Sequence, residues 1–479
     1  MNFIIYDISL LVLFVMFVSI FLYRKKKNLK KEGLLFLYRT RWGIRLIKRI
    51  GEKYKKTLKV LSYVSIGLGY SLMATMLYLF GKIVWIYAFR QDIVRAVKVP
   101  PIMPLIPYLP QIFKLDFLPP FYFIYWILII AIIAITHEFA HGIFAAHNKV
   151  KIKSTGFGFF PFFLPIFLAA FVELDEKRMA KKSKFKQMAV LSAGTFANVL
   201  TAIFFFMVMW LFFSLAFAPS GVVFDSYAYS VVGMATISSV NGITLSNVSY
   251  EKVFSLINET GLNKIKAEDG DYVVTKDFLE NQKDNEGFLF LYHDSPAINA
   301  GLNGAIIEIN GIKINERENL IKELSKYSPD EQIKIKTKIL DDSESEVLEY
   351  NIILGEHPEK ENSPWLGIGF IEQKQTGIMN KIVNFFSTFK KSHVYYEPKF
   401  GASLFIYNLL WWLILINISV ALINMLPMGI FDGGRFFYLT VLAITKSENK
   451  ARKTFKFLTY FFLFLVFLLL AFWVFSFIK

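Results

Sequence analysis

The residues of this chain that could do chemistry are concentrated in one stretch, His137-Glu138-Phe139-Ala140-His141. Positions four apart share one face of an α-helix, so His137 and His141 would point the same way, as two ligands of one metal ion must. Glu138 would lie close enough to act on a water molecule beside that ion. Two histidines and one glutamate at this spacing are typical of zinc-dependent hydrolysis, with the glutamate as general base.

The segment around this motif, 121–146, is otherwise almost wholly apolar. Ionisable groups at membrane depth are costly and are functional candidates by default. The alternative is structural: the imidazoles bond a neighbouring helix and Glu138 pairs with a cation. With only six histidines in the chain, a chance match is rare, which favours the metal interpretation. The other four are interpreted as loop or surface residues: His147, His293, His357 and His393.

A third candidate ligand is Asp432. A catalytic zinc site generally uses three protein ligands and keeps one position open for water. Asp432 lies between two strongly apolar stretches, after the helix-breaking Pro427 and beside Gly433 and Gly434, which loosen the backbone. A buried carboxylate needs a partner, which a metal ion would supply. The alternative is an ion pair with Arg435 in a turn at the membrane surface.

Composition places the chain among integral membrane proteins. Hydrophobic residues make up 54% and aromatic residues 17% of its 479 residues, above the fractions of soluble domains. The chain has no cysteine, which excludes disulfides and thiolate ligands. A metal ion, for which we expect Zn²⁺, must therefore be held by histidine and carboxylate side chains.

Charge is distributed unevenly, which argues against a nucleic-acid partner in spite of a net charge of +16. Residues 220–400 carry 18 Lys/Arg and 27 Asp/Glu, a net charge of −9, and the remainder carries a net charge of +25. The basic residues cluster at the ends of apolar segments, around 24–27, 177–186 and 446–456, which is the positive-inside pattern. We expect their partner to be the lipid bilayer with its anionic headgroups.

Six apolar spans set a predicted topology. The first is a retained anchor, and the basic segment that follows it is cytoplasmic. The third span runs inward, so His137 and His141 lie toward its cytoplasmic end. The polar domain after the fourth span is expected outside the cytoplasm, in a prokaryotic cell membrane. The predicted spans are 3–22, 59–89, 121–147, 187–218, 402–424 and 454–478.

The stretch 151–179 is apolar but is interrupted by Gly156, Gly158, Pro161 and Pro165. These interruptions predict a re-entrant loop, because irregular backbone survives at membrane depth only where protein or a wet cavity surrounds it. Gly156 and Gly158 are candidates for a loop that pairs with an unwound substrate segment as an added strand. The alternative is an interfacial loop without such a role.

Two asparagines are candidates for contact with a substrate carbonyl or an oxyanion. Asn198 lies in the fourth span, and its alternative role is a hydrogen bond to a neighbouring helix. Asn424 ends the fifth span. The small residues Ala193 and Gly194 indicate close helix packing.

Residues 220–370 are predicted to form a polar α+β domain. Two stretches in it consist of a strand, an Asn-Gly turn and a strand, centred on Asn241-Gly242 and Asn310-Gly311. An Asn-Gly pair between apolar runs is the strongest short hairpin signal. Each stretch leads into a helical pattern, so the domain contains one such unit or two in tandem.

These motifs resemble those of the site-2 protease family of intramembrane zinc metalloproteases. The resemblance implies that His137, His141 and Asp432 hold zinc, that Glu138 is the base, and that the substrates are transmembrane helices of other proteins. Gly429 stands where the family often has proline, which leaves the ligands intact. The motifs that carry the resemblance are 137–141, 171–176, Ala193-Gly194 with Asn198, and Asn424 with Pro427 and 432–434.

The polar domain is similar to PDZ domains, which many members of that family carry. The similarity is clearest at 294–302, followed by the hairpin at 306–314. It implies that the domain binds peptide termini.

The predicted function is regulated intramembrane proteolysis by a polytopic α-helical membrane protein. The predicted fold has about six transmembrane helices and a re-entrant loop, with an inserted α+β PDZ-like soluble domain. An inert membrane scaffold that binds peptide termini, and a transporter with paired ionisable helices, are the alternatives. The predicted parts are the anchor and basic segment 1–57, the first core half 58–219, the PDZ-like domain 220–370, the linker 371–401 and the second core half 402–479.

Overall fold

The computed structural model describes residues 3–32, 35–97, 100–159, 168–285, 287–339, 346–371 and 389–475. The chain divides into two compact units. The helical unit comprises Met1–Phe212 and Leu404–Lys479, and the strand-rich unit comprises Phe213–Ser403.

Six long helices make up most of the helical unit, and each is long and apolar enough to cross a bilayer. They match the six predicted spans. Their bounds are α1 (Phe3–Arg24), α3 (Lys55–Phe89), α6 (Phe123–His147), α8 (Lys184–Ala216), α13 (Ser403–Asn424) and α15 (Glu448–Phe475). The shorter helices are α2 (Ile44–Lys53), α4 (Gln91–Val97), α5 (Leu109–Ile112), α7 (Glu176–Ala180) and α14 (Asp432–Thr445), with a 3-10 turn at Lys26–Asn28.

The long helices pack through small and apolar side chains. Helices α3, α6 and α8 share a core that includes the buried Ala145, Ala189 and Ala193. Because alanine lets two helix backbones approach closely, this core holds α8 against the carboxyl-terminal half of α6. The hydroxyl of Ser192 donates to that of Ser65 at 3.2 Å and ties α8 to α3.

A four-stranded antiparallel sheet accompanies the helices, in the order β1-β2-β3-β4. It joins the basic segment after α1 to the segment after α6. Strand β4 is the last in this order, so one of its edges has no strand partner among the described residues. The strands are β1 (Leu29–Glu32), β2 (Leu35–Thr40), β3 (Ile152–Phe159) and β4 (Leu168–Leu174).

The predicted re-entrant loop therefore has β structure, with β3 and β4 as the two strands of a hairpin. Gly156 and Gly158 lie in β3 and pair with residues of both β2 and β4. Both edges of their strand are already occupied, so neither glycine has a free strand edge to offer to a substrate. Pro161 and Pro165 of the predicted loop lie outside the described residues.

The strand-rich unit contains two larger sheets, each with its own apolar core. The first has the order β7-β12-β11-β10-β8-β9, and the second has the order β16-β15-β13-β5-β20, with β14 paired to β13. The strands are β5 (Phe217–Val222), β6 (Ser226–Tyr227), β7 (Tyr229–Gly233), β8 (Ile237–Val240), β9 (Ile243–Thr244), β10 (Asn263–Ala267), β11 (Gly270–Val274), β12 (Phe288–His293), β13 (Ala305–Ile309), β14 (Ile312–Lys313), β15 (Gln332–Lys338), β16 (Val347–Ile353), β17 (Gly355–His357), β18 (Lys360–Trp365), β19 (Ile368–Gly369) and β20 (Val394–Pro398). The helices are α9 (Tyr250–Ser255), α10 (Lys276–Glu280), α11 (Pro296–Asn299) and α12 (Arg317–Leu324), with a 3-10 turn at Met234–Thr236.

The two predicted Asn-Gly hairpins are confirmed. Asn241 and Gly242 have φ of 48° and 82°, and Asn310 and Gly311 have φ of 45° and 85°, the positive values that a type I′ hairpin turn requires. They connect β8 to β9 and β13 to β14. A helix and then a long strand follow each hairpin, so the two sheets repeat one local arrangement.

Candidate metal centre

The histidine pair lies on the continuous helix α6, which has no glycine or proline before Gly142. Because the two residues are one turn apart, their rings face the same side, and the Nε2 atoms are 3.0 Å apart. His137 is buried, with 8% of its surface exposed.

Asp432 meets this pair from the other end of the chain, at the first residue of α14. Its Oδ2 atom lies 3.2 Å from Nε2 of His141 and 3.5 Å from Nε2 of His137. The alternative partner, Arg435, instead pairs with Glu176 at 3.3 Å. The added Cβ of any residue larger than glycine at position 433 would lie 2.4 Å from the backbone of Met425, so this close turn requires glycine.

The three side chains fit a zinc ion. All three ligand atoms lie within 4.8 Å of one another. Bonds of 2.0 to 2.2 Å in a tetrahedral site would place ligand atoms about 3.3 Å apart, close to the distances between these three. Two imidazole nitrogens and one carboxylate oxygen are a donor set of catalytic zinc sites, which leaves a fourth position open.

Each imidazole also has a hydrogen-bond partner at its Nδ1 atom, on the side of the ring opposite the ligand atom. Nδ1 of His141 lies 2.7 Å from the carbonyl oxygen of Val190, so it donates there and leaves Nε2 free as a ligand. Nδ1 of His137 lies 3.0 Å from the side-chain amide of the fully buried Asn198. The Oδ1 atom of that amide is buried without a partner. Turning the amide by half a turn lets Oδ1 accept the proton of Nδ1, and this frees Nε2 of His137 as well.

Gly194 provides the space in which the two ligand nitrogens meet. A Cβ atom added at this position would lie 2.4 Å from Nε2 of His141 and 2.5 Å from Nε2 of His137. The sequence predicts Gly194 to serve close helix packing. The structure shows that the surface packed against it is the ligand pair itself.

Glu138 faces the open edge of β4. Its Oε2 atom accepts a hydrogen bond of 2.8 Å from the backbone N–H of Val172. Because every residue except proline has a backbone N–H, no sequence pattern identifies Val172 as the hydrogen-bond donor to Glu138.

Two cavities meet at this group. The larger has a volume of about 930 Å³ and the smaller about 550 Å³. They share the lining residues His137, Glu138, Leu191, Asp432 and Arg435. An extended chain lying in both cavities would therefore pass beside the candidate base and the candidate ligands.

The two predicted asparagines take different places around the cavities. Asn424 lines the smaller cavity together with Ala170 of β4. Asn198 lies behind His137, where it can orient the ring. The position of Asn424 suits contact with a substrate better than that of Asn198.

The larger cavity has a charged wall formed by β2, β3 and β4. The hydroxyl of Ser154 donates to Glu173 at 2.6 Å, and Nε of Arg39 donates to the same oxygen at 2.9 Å. These bonds hold the pKa of the Glu173 carboxyl below its ordinary value. Glu173 is therefore an anion fixed in the sheet beside the open edge of β4.

Comparison with known proteins assigns the family. The model of peptidase family M50 matches residues 125–469, well over half of the chain. The chain belongs to family M50, the site-2 protease family. No curated protein matches it. Family M50 consists of membrane-embedded metalloproteases, so this chain is an integral membrane protein of a metalloprotease family whose members typically use zinc.

One buried residue of this M50 chain escaped the sequence analysis. Asp7 of α1 is 3% exposed and accepts hydrogen bonds from the backbone N–H groups of Phe123 and Ile124 at 2.7 and 3.0 Å. The hydroxyl of Tyr108 donates to the same carboxylate. The available signal was that Asp7 is the single acid of the 22-residue helix α1, whose one other charged residue is the terminal Arg24.

The other histidines of this M50 chain are not members of the candidate ligand group. His147 ends α6 and His293 lies in β12. Neither lies in a loop, but both are partly exposed, and the prediction allowed loop or surface positions. His357 ends β17, and His393 lies in a turn beside β20, 3.3 Å from Asp225.

Proposed function

We propose that this chain is a zinc-dependent intramembrane endopeptidase that cleaves transmembrane segments of other membrane proteins. The observation that carries the proposal is the convergence of His137 and His141, on one membrane helix, with Asp432 of a distant segment. In this proposal these three residues hold the zinc ion and Glu138 is the general base. Their burial at the junction of two cavities supports it, because a peptide and water can both reach them.

The side chains divide the chemistry of peptide hydrolysis among them. A zinc ion, when bound, polarises water and the scissile carbonyl. Glu138 accepts a proton from the attacking water and returns it to the leaving amine nitrogen as the C–N bond breaks. The amide of Asn424, which lines the smaller cavity, donates to the substrate carbonyl. Asn198 orients the ring of His137 through the hydrogen bond at Nδ1 and does not contact the substrate.

The substrate binds at the edge of β4 as an added strand. A helical substrate hides its carbonyls in its own hydrogen bonds and must unwind before attack. The open edge of β4 offers main-chain donors and acceptors to the unwound segment, as in other β-addition complexes. The pairing surface in this proposal is the edge of β4 and not Gly156 and Gly158, because both edges of their strand, β3, are already paired. Val172 and Ala170 place it beside the metal group.

The membrane orientation is also part of the proposal. The basic segment after α1 is cytoplasmic by the positive-inside rule, which places the catalytic end of α6 near the cytoplasmic face of a prokaryotic cell membrane. The strand-rich unit then lies outside the cytoplasm.

The strand-rich unit serves as a PDZ-like module that binds peptide termini and selects substrates with trimmed external parts. Its two sheets with the same hairpin-helix-strand order support two tandem modules.

Deleting 222–370 from the chain tests the proposed role of the strand-rich unit in substrate selection. Cleavage of full-length substrates should rise relative to cleavage of trimmed ones. Unchanged cleavage of both would contradict it.

The central experiment measures metal and activity in the same preparations. Purified full-length protein should contain about one zinc ion per chain, and Asp432→Ala and His141→Ala should lose it. Glu138→Gln should retain zinc and lose cleavage of a transmembrane substrate. Glu176→Gln, an acid that lines the larger cavity outside the ligand group, is the matched control and should retain both. Full activity of Glu138→Gln would instead favour the inert scaffold.

A further inference from the structure

The base of the proposed reaction is held by the same strand edge that is proposed to hold the substrate. Oε2 of Glu138 accepts from the N–H of Val172 at 2.8 Å. In an antiparallel sheet, successive residues direct their main-chain groups to opposite edges. The N–H of Val172 points to Glu138, so it points away from β3. It is therefore a donor that an added strand would use.

The neighbouring outward position on β4 is Ala170, two residues earlier. Ala170 lines the smaller cavity, and Val172 and Leu174 line the larger one. Glu138 lines both. A strand laid along this edge would thus run from one cavity to the other and place a carbonyl opposite the N–H of Val172.

One N–H cannot serve two acceptors well. A hydrogen bond to a carboxylate is stronger than one to a neutral carbonyl, so Glu138 keeps the N–H of Val172 when a single carbonyl competes for it. A segment that adds to β4 as a strand also forms main-chain hydrogen bonds at Ala170 and at the other outward positions of β4. A single carbonyl forms none of these bonds. Only an extended backbone of several residues has enough bonds to displace the carboxylate.

We propose that Glu138 and the substrate backbone compete for the N–H of Val172, so that docking of an extended segment releases the base carboxylate. This rests on the proposed function, in which the substrate adds to β4. While the edge is empty, Glu138 is tied to the sheet. When a strand occupies the edge, Glu138 gives up that bond and can turn toward the attacking water. Glu138 therefore stays bonded to the sheet when only water or a helical segment is present, and it is free to act as a base only when an extended segment occupies the edge of β4.

Peptide binding tests the competition without using catalysis. The probe is a fluorescein-labelled peptide of alternating valine and threonine with a lysine at each end, measured by fluorescence polarisation on the full-length protein in micelles. Glu138→Ala removes the competing acceptor, and we expect it to bind the probe about three- to tenfold more tightly than the wild type. Glu138→Gln removes the charge but keeps an acceptor, so its affinity should stay closer to that of the wild type.

Two proline variants localise the effect on β4. Proline is tolerated on an edge strand where the lost N–H does not belong to the ladder, so Val172→Pro and Ala170→Pro both preserve the pairing of β4 with β3. Each should weaken probe binding by removing one outward donor. The gain from Glu138→Ala should vanish in the Val172→Pro background and persist in the Ala170→Pro background. Zinc content and elution as a single species verify the fold of each variant.

The outcomes separate this inference from the proposed function. If Ala170→Pro weakens binding but Glu138→Ala binds no more tightly than Glu138→Gln, strand addition stands and the competition is overturned. If neither proline variant weakens binding, strand addition fails and the competition fails with it, while the zinc and Glu138→Gln results still report on proteolysis. The comparison of Glu138→Ala with Glu138→Gln decides the matter even if a proline variant does not fold.

Discussion

The carboxylate of Asp7 accepts a hydrogen bond of 2.7 Å from the backbone N–H of Phe123. Phe123 is the first residue of α6, and the residue before it offers no side-chain cap. The first helix of the chain therefore supplies, from a distance in sequence, the N-cap of the helix that carries the histidine pair. A carboxylate at a helix N-terminus satisfies free N–H groups and interacts favourably with the helix dipole.

Replacing Asp7 should destabilise the helical unit. Asp7→Ala leaves the buried N–H of Phe123 and the partly buried N–H of Ile124 without this acceptor, and we expect a loss of about 2 kcal/mol in unfolding free energy. Denaturation by sodium dodecyl sulfate in mixed micelles measures it. Ser9→Ala is the control, since the exposed Ser9 hydroxyl bonds only to the carbonyl of Ile5 in its own helix. Equal midpoints for the two variants would show that the cap contributes nothing.

Asn198 should control zinc affinity through the ring of His137. Loss of an outer hydrogen bond to a histidine ligand typically weakens metal binding about 10- to 100-fold, and we expect this range for Asn198→Ala. Asn198→Asp keeps an acceptor for Nδ1 and should retain more affinity. Chelator competition gives the constants. Asn417→Ala is the control, because Asn417 is also fully buried but donates to Leu413 of its own helix. A similar loss of zinc affinity in that variant would show that the effect of Asn198→Ala does not depend on its hydrogen bond to His137.

Gly194→Ala should abolish the metal site. The added methyl group would lie within 2.5 Å of Nε2 of both histidines, so the ligands or helix α8 must move. We expect loss of bound zinc and a fall in cleavage of about 100-fold or more, since small displacements of catalytic groups are costly. Metal analysis and a cleavage assay measure the two effects. Gly67→Ala in α3, where an added Cβ meets nothing within 4 Å, should behave as wild type. Zinc retained at the wild-type level in Gly194→Ala would contradict the observed packing.

His293 should make the strand-rich unit less stable in mild acid. Burial lowers the pKa of His293 below its ordinary value of 6.5, and Nε2 lies 2.8 Å from the hydroxyl of Ser230. The unfolded chain therefore binds a proton at a pH where the folded chain does not. Stability is full above about pH 6.5 and falls as the pH decreases from there toward the folded-state pKa.

Pulse proteolysis in urea, read between pH 7.5 and 5, checks the His293 prediction through cleavage within residues 213–403. The pH slope should shrink in His293→Asn, although that variant starts from a lower stability. An identical slope in the two proteins would assign the acid sensitivity to other groups.

Local sequence patterns predicted the parts of this protein that depend on local geometry. The spacing of His137 and His141 defines their shared helix face, whatever surrounds the helix. The turns at Asn241 and Asn310 follow from the positive φ that Asn-Gly pairs accept easily. The apolar spans follow from length and hydrophobicity, because a bilayer leaves a segment of about 20 apolar residues few other structures.

The third ligand was predicted by chemistry rather than by geometry. Asp432 was a carboxylate between apolar stretches that needed a partner, and Arg435, three residues along the chain, was the alternative to a metal ion. The fold decides between them. Asp432 begins a helix whose glycine at position 433 packs against the preceding turn, and this brings its carboxylate to the histidines.

The sequence by itself determined which residues could bind a metal, where the membrane helices lie and where the chain turns, because each depends on neighbours within a few positions. Only the tertiary structure decided which strand edge is open, which main-chain donor holds Glu138, and what caps α6. Strand β3 is enclosed by β2 from the segment after α1, and the cap on α6 is an aspartate of α1 itself. Such pairings are made by main-chain groups that every residue carries, so only the folded backbone specifies them.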